Sequence, residues 1–200
     1  MGRFSLPLRP TYNSPVILTF ALAACVILAA DGLAGGRLTP ALFATYPGFR
    51  WSSPLFYLRL ISHVLGHKNW AHLTANFSVI LLIGPILEEK YGSASLTKMM
   101  LITALVTGLL NAAFFTTGLL GASGLVFMMI LLASFTNHKE GEIPLTFVLV
   151  VILFLAKEAV QAFDQDDISQ FAHIIGGVCG SLFGFYGGKA KIGSGKKGRA

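Results

Sequence analysis

Apolar residues along the chain fall into six runs separated by polar or Gly/Pro-rich connections, and runs of this length predict membrane-crossing helices. The first opens at Pro15 and continues to Ala30. The second extends from about His72 to Leu87 and closes on Glu88-Glu89-Lys90. The third runs from about Leu96 to Phe115, with Lys98 near its start. The fourth follows Gly121-Ala122-Ser123-Gly124, reaches about Phe135 and is closed by Asn137-His138-Lys139-Glu140-Gly141. The fifth starts near Pro144, a residue suited to a first helical turn, and ends near Phe163; the sixth spans about Phe171 to Tyr186. Between the first two runs lies the longest connection, residues 31–71, broken by Gly35-Gly36, Pro40, Pro47 and Pro54 and rich in aromatics such as Phe43, Tyr46, Phe49, Trp51, Phe56 and Tyr57. It is too interrupted to span and suits the headgroup zone, with short interfacial helices.

Composition agrees with a lipid solvent. Of 200 residues, 54% are hydrophobic and only 12% charged, about half the charged share of a soluble domain. The pattern predicts an all-α, polytopic, six-span bundle. It comprises an N-terminal segment (1–14), one membrane domain (15–187) and a basic tail (188–200). Leu22-Ala23-Ala24-Cys25 resembles a lipoprotein processing site, but the apolar run continues past Cys25, which favours an uncleaved first span. Cys25 and Cys179 both lie in apolar runs and read as small hydrophobes.

Charge adds orientation. Six spans put both termini on one side, and ten of the 15 Lys and Arg fall there: Arg3, Arg9, Lys90, Lys98, Lys139, Lys189, Lys191, Lys196, Lys197 and Arg199. Arg37, Arg50, Arg59, Lys68 and Lys157 fall on or near the other side, with the acidic group Asp164, Asp166 and Asp167. The bias predicts cytoplasmic termini, in a bacterial inner membrane if the source is bacterial. The net charge of +6 therefore reads as topology, not nucleic-acid binding.

With that topology, three spans carry polar residues near one membrane face: His72 and Asn76 in the second, Ser123 in the fourth, and His173 in the first turn of the sixth. Intramembrane polar groups are costly and point to function. His72 and Asn76 are four apart and share a helical face. His173 shares a face with Gly176, Gly177 and Gly180, and such small residues let another helix approach closely. Gly124 is the natural surface for that approach, which would bring His173 to Ser123. A serine hydroxyl needs a base to become nucleophilic, and neutral imidazole serves near neutral pH. Asn76, His72 and the Ser123 backbone N–H are the candidate oxyanion donors. No acidic third member is evident, so the chemistry expected is a Ser-His dyad.

These elements together resemble the rhomboid family of intramembrane serine proteases, of the basic six-span type. They are His72-x-x-x-Asn76, Gly121-Ala122-Ser123-Gly124, Ala172-His173-Ile174-Ile175-Gly176 with Gly180, His63 and His67 before the second span, and Glu88-Glu89-Lys90-Tyr91-Gly92-Ser93 after it. The resemblance covers roughly residues 12–187. It implies Ser123 as nucleophile, His173 as general base, and His72 and Asn76 as oxyanion helpers. It further implies transmembrane protein substrates that unwind locally, and a movable gate made by the fifth span and the 164–170 loop. Two departures stand out: the family's frequent Tyr four residues after the serine is Phe127 here, and a family Trp-Arg pair corresponds to Arg50-Trp51 in reversed order.

Competing readings follow from the same residues. His63, His67 and His72 lack the Glu of a His-Glu-x-x-His zinc site, so no metal or cofactor is expected, and the two loop histidines read as hydrogen-bonding staples. Lys157-Glu158 reads as an interfacial pair, and Phe147, Phe154 and Phe163 as lipid-facing bulk. A transporter would place paired polar groups near the midplane in repeated halves, a pattern the sequence lacks. An inactive adaptor for transmembrane clients would be expected to have lost Ser123 or His173.

Overall fold

The computed structural model describes residues 11–136, 142–161 and 167–192, with side-chain detail in the last two segments confined to residues 142–153, 156 and 170–186. Among these residues the chain is helical throughout, without strands. The helices are α1 (Pro15–Leu33), α2 (Leu38–Leu42), α3 (Pro54–Ser62), α4 (Trp70–Tyr91), α5 (Ser93–Phe114), α6 (Ser123–Ala133), α7 (Leu145–Gln161) and α8 (Asp167–Ile192). Six match the predicted apolar runs, and α2 and α3 are the short helices expected in the long connection. The Asn137–Gly141 closure, Asp164, Asp166 and the side chains of Phe154, Lys157, Glu158 and Phe163 lie outside the described residues.

Helices α1, α4 and α5 are each long and apolar enough to cross a membrane. Helix α6 is not: its 11 residues rise about 16 Å against a hydrocarbon core of about 30 Å. Its start lies inside the bundle. A methyl placed on Gly124 would sit 3.5 Å from Thr107 Cγ2, and Thr107 is about 10 Å below the α5 end at Phe114. Residues 115–122 therefore descend into the molecule as irregular backbone. Such backbone is tolerated at membrane depth only when protein surrounds it, and the loop before α4 provides that surround.

That loop also dips inward. The His63 carbonyl accepts from Gly121 N–H at 2.9 Å and from Gly66 N–H at 3.2 Å. Thr45 donates its N–H to the Leu119 carbonyl at 3.0 Å, accepts the Leu119 N–H on Oγ1 at 3.2 Å and donates its hydroxyl to Asn111 Oδ1 at 2.6 Å, while Asn111 Nδ2 donates to the Thr117 carbonyl at 3.2 Å. Arg59 donates from Nε to the Ala41 carbonyl at 3.0 Å and stacks over Tyr46 at 5.1 Å. Trp51, beside Arg50, stacks on Phe49 at 4.8 Å. Sequence reasoning missed Arg59 as the cation that fastens this connection.

At the opposite end, the Glu88-Glu89-Lys90 run ties helices together. Glu88 is buried and accepts from the N–H groups of Val16 and Ile17 at 3.1 and 3.2 Å and from Ser93 Oγ at 2.7 Å. An α4 side chain thus caps the exposed donors of α1. Lys90 Nζ donates to the Phe135 carbonyl just beyond α6 at 2.7 Å.

Two expectations need correction. Helix α8 already includes Asp167 rather than starting near Phe171, so His173 lies beyond its first turn. Phe147 is not lipid-facing bulk: its ring meets Phe135 at 4.6 Å and Phe185 at 5.5 Å, turning that part of α7 inward.

Candidate active site

The site forms where the shortened α6 begins. Gly121 has φ +116°, a conformation open to glycine, and this bend turns the chain into the helix two residues before its first hydroxyl. His72 occupies the space a side chain there would need: a methyl on Gly121 would lie 2.6 Å from His72 Cε1 and 2.9 Å from Nε2. The imidazole thus sits against the turn that presents Ser123. Asn69 holds the α4 end beneath it, its Oδ1 accepting the His72 N–H at 2.8 Å.

One turn further along α4, Asn76 is buried, and its Nδ2 lies 3.2 Å from His67 Nε2. His67 Nδ1 lies 3.2 Å from the Leu65 carbonyl, and its ring packs on His72 at 5.1 Å and Phe77 at 5.7 Å. Burial is the main reason the His67 pKa falls to about 4, with nearby His72 adding to it and the Leu65 bond opposing. His63 is likewise lowered to about 4 by burial, against an opposing bond to the Ala104 carbonyl. Both loop histidines are therefore neutral near pH 7, as hydrogen-bonding staples require.

Helix α8 supplies the other wall. It packs most extensively on α6, and glycines set the distance. A methyl on Gly176 would overlap the Gly124 carbonyl oxygen and lie 2.8 Å from its carbon. One turn on, Gly180 stands in the same relation to the Met128 backbone, at 2.9 Å from its carbonyl carbon. In lipid, where burial from water contributes nothing to helix pairing, such backbone contact is a main source of attachment. The approach brings the His173 ring to 4.3 Å from Phe127, centroid to centroid, with the planes 36° apart. Phe127 is four residues after Ser123, so both project from one face of α6. His173 is buried and Ser123 half-buried.

The structure thus gathers Ser123, Phe127, Gly121 and Gly124 from α6 and the turn before it, His72 and Asn76 from α4, and His173, Gly176 and Gly180 from α8. Behind Asn76 lies His67, which the sequence suggested only as a hydrogen-bonding staple and not as part of the site. Its signal was available in the spacing of His67, His72 and Asn76, but the side-chain contact depends on how the loop folds back. Among the described residues, no three His, Cys, Asp or Glu side chains cluster as a metal site would need.

This is a polytopic helical membrane protein with a polar site enclosed at the buried start of a short helix. The rhomboid domain model matches residues 55–190, and the chain belongs to the rhomboid family. It is similar to rhomboid protease GlpG of Haemophilus influenzae, 24% identical over 136 residues, covering 66% of this chain and 71% of that relative. Family and relative support an intramembrane protease function for an integral membrane protein.

Proposed function

We propose that the chain is a serine-type intramembrane endopeptidase working through a Ser123–His173 dyad. The observation that carries the reading is the seating of α8 on α6 by Gly176 and Gly124, which brings His173 onto the Ser123–Phe127 face. In the first step Ser123 Oγ attacks the scissile carbonyl carbon while His173 accepts the hydroxyl proton. The carbonyl oxygen becomes an oxyanion beside His72, Asn76 and the Ser123 N–H. Each well-aimed donor there contributes about 2.7–4 kcal/mol. Collapse breaks the C–N bond, and His173 returns the proton to the leaving amine. A water then attacks the acyl-enzyme by the same route and regenerates Ser123.

The substrates are transmembrane segments of other membrane proteins, whose helix must open locally to expose a peptide bond. Entry beside α7 is supported by an apolar gap of about 240 Å³ lined by Leu131, Val151, Ile174, Val178, Leu182 and Phe185. Cytoplasmic termini remain the orientation favoured by the charge bias.

The test is cleavage of a model transmembrane substrate in detergent, together with labelling by a serine-reactive phosphonate. Ser123→Ala is expected to lose cleavage and labelling, and His173→Ala to lose cleavage. Wild-type-like turnover in either variant would refute the dyad.

A further inference from the structure

The loop before α4 buries two imidazoles that use opposite nitrogens. A carbonyl oxygen only accepts, so a ring nitrogen bonded to it carries the proton. His63 Nε2 lies 3.0 Å from the Ala104 carbonyl, which places its proton on Nε2. His67 Nδ1 lies 3.2 Å from the Leu65 carbonyl, which places its proton on Nδ1 and leaves a lone pair on Nε2. That lone pair faces Asn76 Nδ2 at 3.2 Å.

The consequence falls on Asn76. A lone pair attracts an N–H and repels an amide oxygen, so the Asn76 amide turns its nitrogen toward His67. One N–H of that nitrogen is committed to His67, and the second projects from the same atom in another direction. The arrangement is stiff. His67 and Asn76 are both buried, and the His67 ring is wedged between His72 and Phe77. The lone pair also persists at neutral pH, because burial keeps His67 unprotonated.

We propose that His67 is a positioning residue for catalysis: its Nε2 lone pair fixes the Asn76 amide so that the remaining N–H, not the carbonyl oxygen, meets the developing oxyanion. The proposal rests on the reading of Asn76 as an oxyanion donor. Without the acceptor, the amide can rotate and present its oxygen to a negative charge, which raises the barrier without weakening ground-state binding.

Three substitutions separate this role from loop support. His67→Phe keeps the ring and removes both bonds. His67→Asn restores a donor near the Nδ1 position only. His67→Gln places a carbonyl acceptor near the Nε2 position. With kcat and KM measured on a model transmembrane substrate in detergent, and thermal midpoints recorded alongside, His67→Phe and His67→Asn are expected to lower kcat about 10-fold or more with KM nearly unchanged. His67→Gln should recover most of that loss. In an Asn76→Ala background, His67→Phe should change kcat by less than about twofold, because the two residues act as one unit.

Wild-type kcat in His67→Phe alongside a fall in Asn76→Ala would overturn the positioning role and leave the oxyanion reading standing. Wild-type kcat in Asn76→Ala would overturn both. Equal losses in all three His67 variants, persisting in the Asn76→Ala background, would assign His67 to loop support and overturn the proposal.

Discussion

Substituting Gly176 by alanine tests the geometry on which the site depends. The added methyl would lie 2.8 Å from the Gly124 carbonyl carbon, 3.0 Å from its Cα and closer still to its oxygen. All three atoms are backbone at the start of α6, so no side chain can swing aside. Carbon–carbon contact is comfortable from about 3.5 Å, and the overlap with the oxygen is worse, so α8 must retreat by about 1 Å. Overpacking of this kind costs about 1–3 kcal/mol, which lowers the thermal midpoint without unfolding the bundle. The larger effect is on chemistry, since His173 precedes Gly176 by less than one turn and moves with it. A misplacement of about 1 Å between reacting groups costs about 100-fold in rate.

The assay is cleavage of a model transmembrane substrate in detergent, with kcat and KM determined separately. Gly176→Ala is expected to lower kcat about 100-fold, with any change in KM the smaller effect. Gly180→Ala meets the Met128 backbone in the same way but one turn further from His173. It should match Gly176→Ala in thermal destabilisation and lose less kcat. Wild-type kcat in Gly176→Ala, or a larger kcat loss in Gly180→Ala, would refute the argument that this contact sets the distance from His173 to Ser123.

Further substitutions probe other joints of the fold. Gly121→Ala forces a side chain into a backbone conformation at φ +116° and against the His72 ring; cleavage should fall at least tenfold, and full activity would show that the turn is not fixed by His72. Glu88→Ala removes three hydrogen bonds to a buried carboxylate. At about 1.5–3 kcal/mol for each such bond, it should destabilise by at least 3 kcal/mol in a detergent unfolding assay, with Glu88→Gln intermediate. For pH, the folded state holds His63 at about 4 while the unfolded chain titrates near the ordinary histidine value of 6.5. The unfolded state then binds more protons throughout that window, so stability falls as pH drops from 6.5 toward 4. The slope is at most about 1.4 kcal/mol per pH unit for one histidine, or about 2 kcal/mol lost by pH 5. Thermal midpoints of wild type and His63→Gln across this range check it, and equal slopes would refute it.

The sequence was most informative where chemistry and period coincide. Apolar runs located α1 and α4 to α8, because lipid demands continuous apolar segments and permits few alternatives. The glycines of α8 identified their own contact face, since little but close packing explains Gly176 and Gly180 one turn apart in a helix. The start of α8 is not legible in the sequence because Asp167 is polar and the apolar run begins only near Phe171. Helix propensity and the following apolar face carry the helix upstream of the apolar run. Phe147 was misread for a related reason: a phenylalanine in an apolar helix has the same signature toward lipid as toward Phe135 and Phe185. The roles of Arg59 and His67 depend on where an irregular loop folds back, and no period in the sequence encodes that.

The short helix α6 connects these observations. A serine on a full-length span would start at the membrane surface or be sealed among helical hydrogen bonds at its centre. By beginning about 10 Å below the α5 end, α6 puts its first turn, with backbone N–H groups not yet used by the helix, at a depth that only protein surrounds. Such donors would be costly in lipid, but beside Ser123 they would serve the oxyanion of the proposed reaction. The descent of residues 115–122 must then be stabilised, and the loop before α4 does so with the His63 carbonyl on Gly121 and Thr45 on Leu119. The long aromatic connection, which as a sequence reads only as an interfacial segment, is thereby part of the apparatus that holds irregular backbone inside the bundle. Substitutions that loosen it, such as Arg59→Ala at the Ala41 carbonyl, should lower the cleavage proposed for Ser123 without touching a residue of the site.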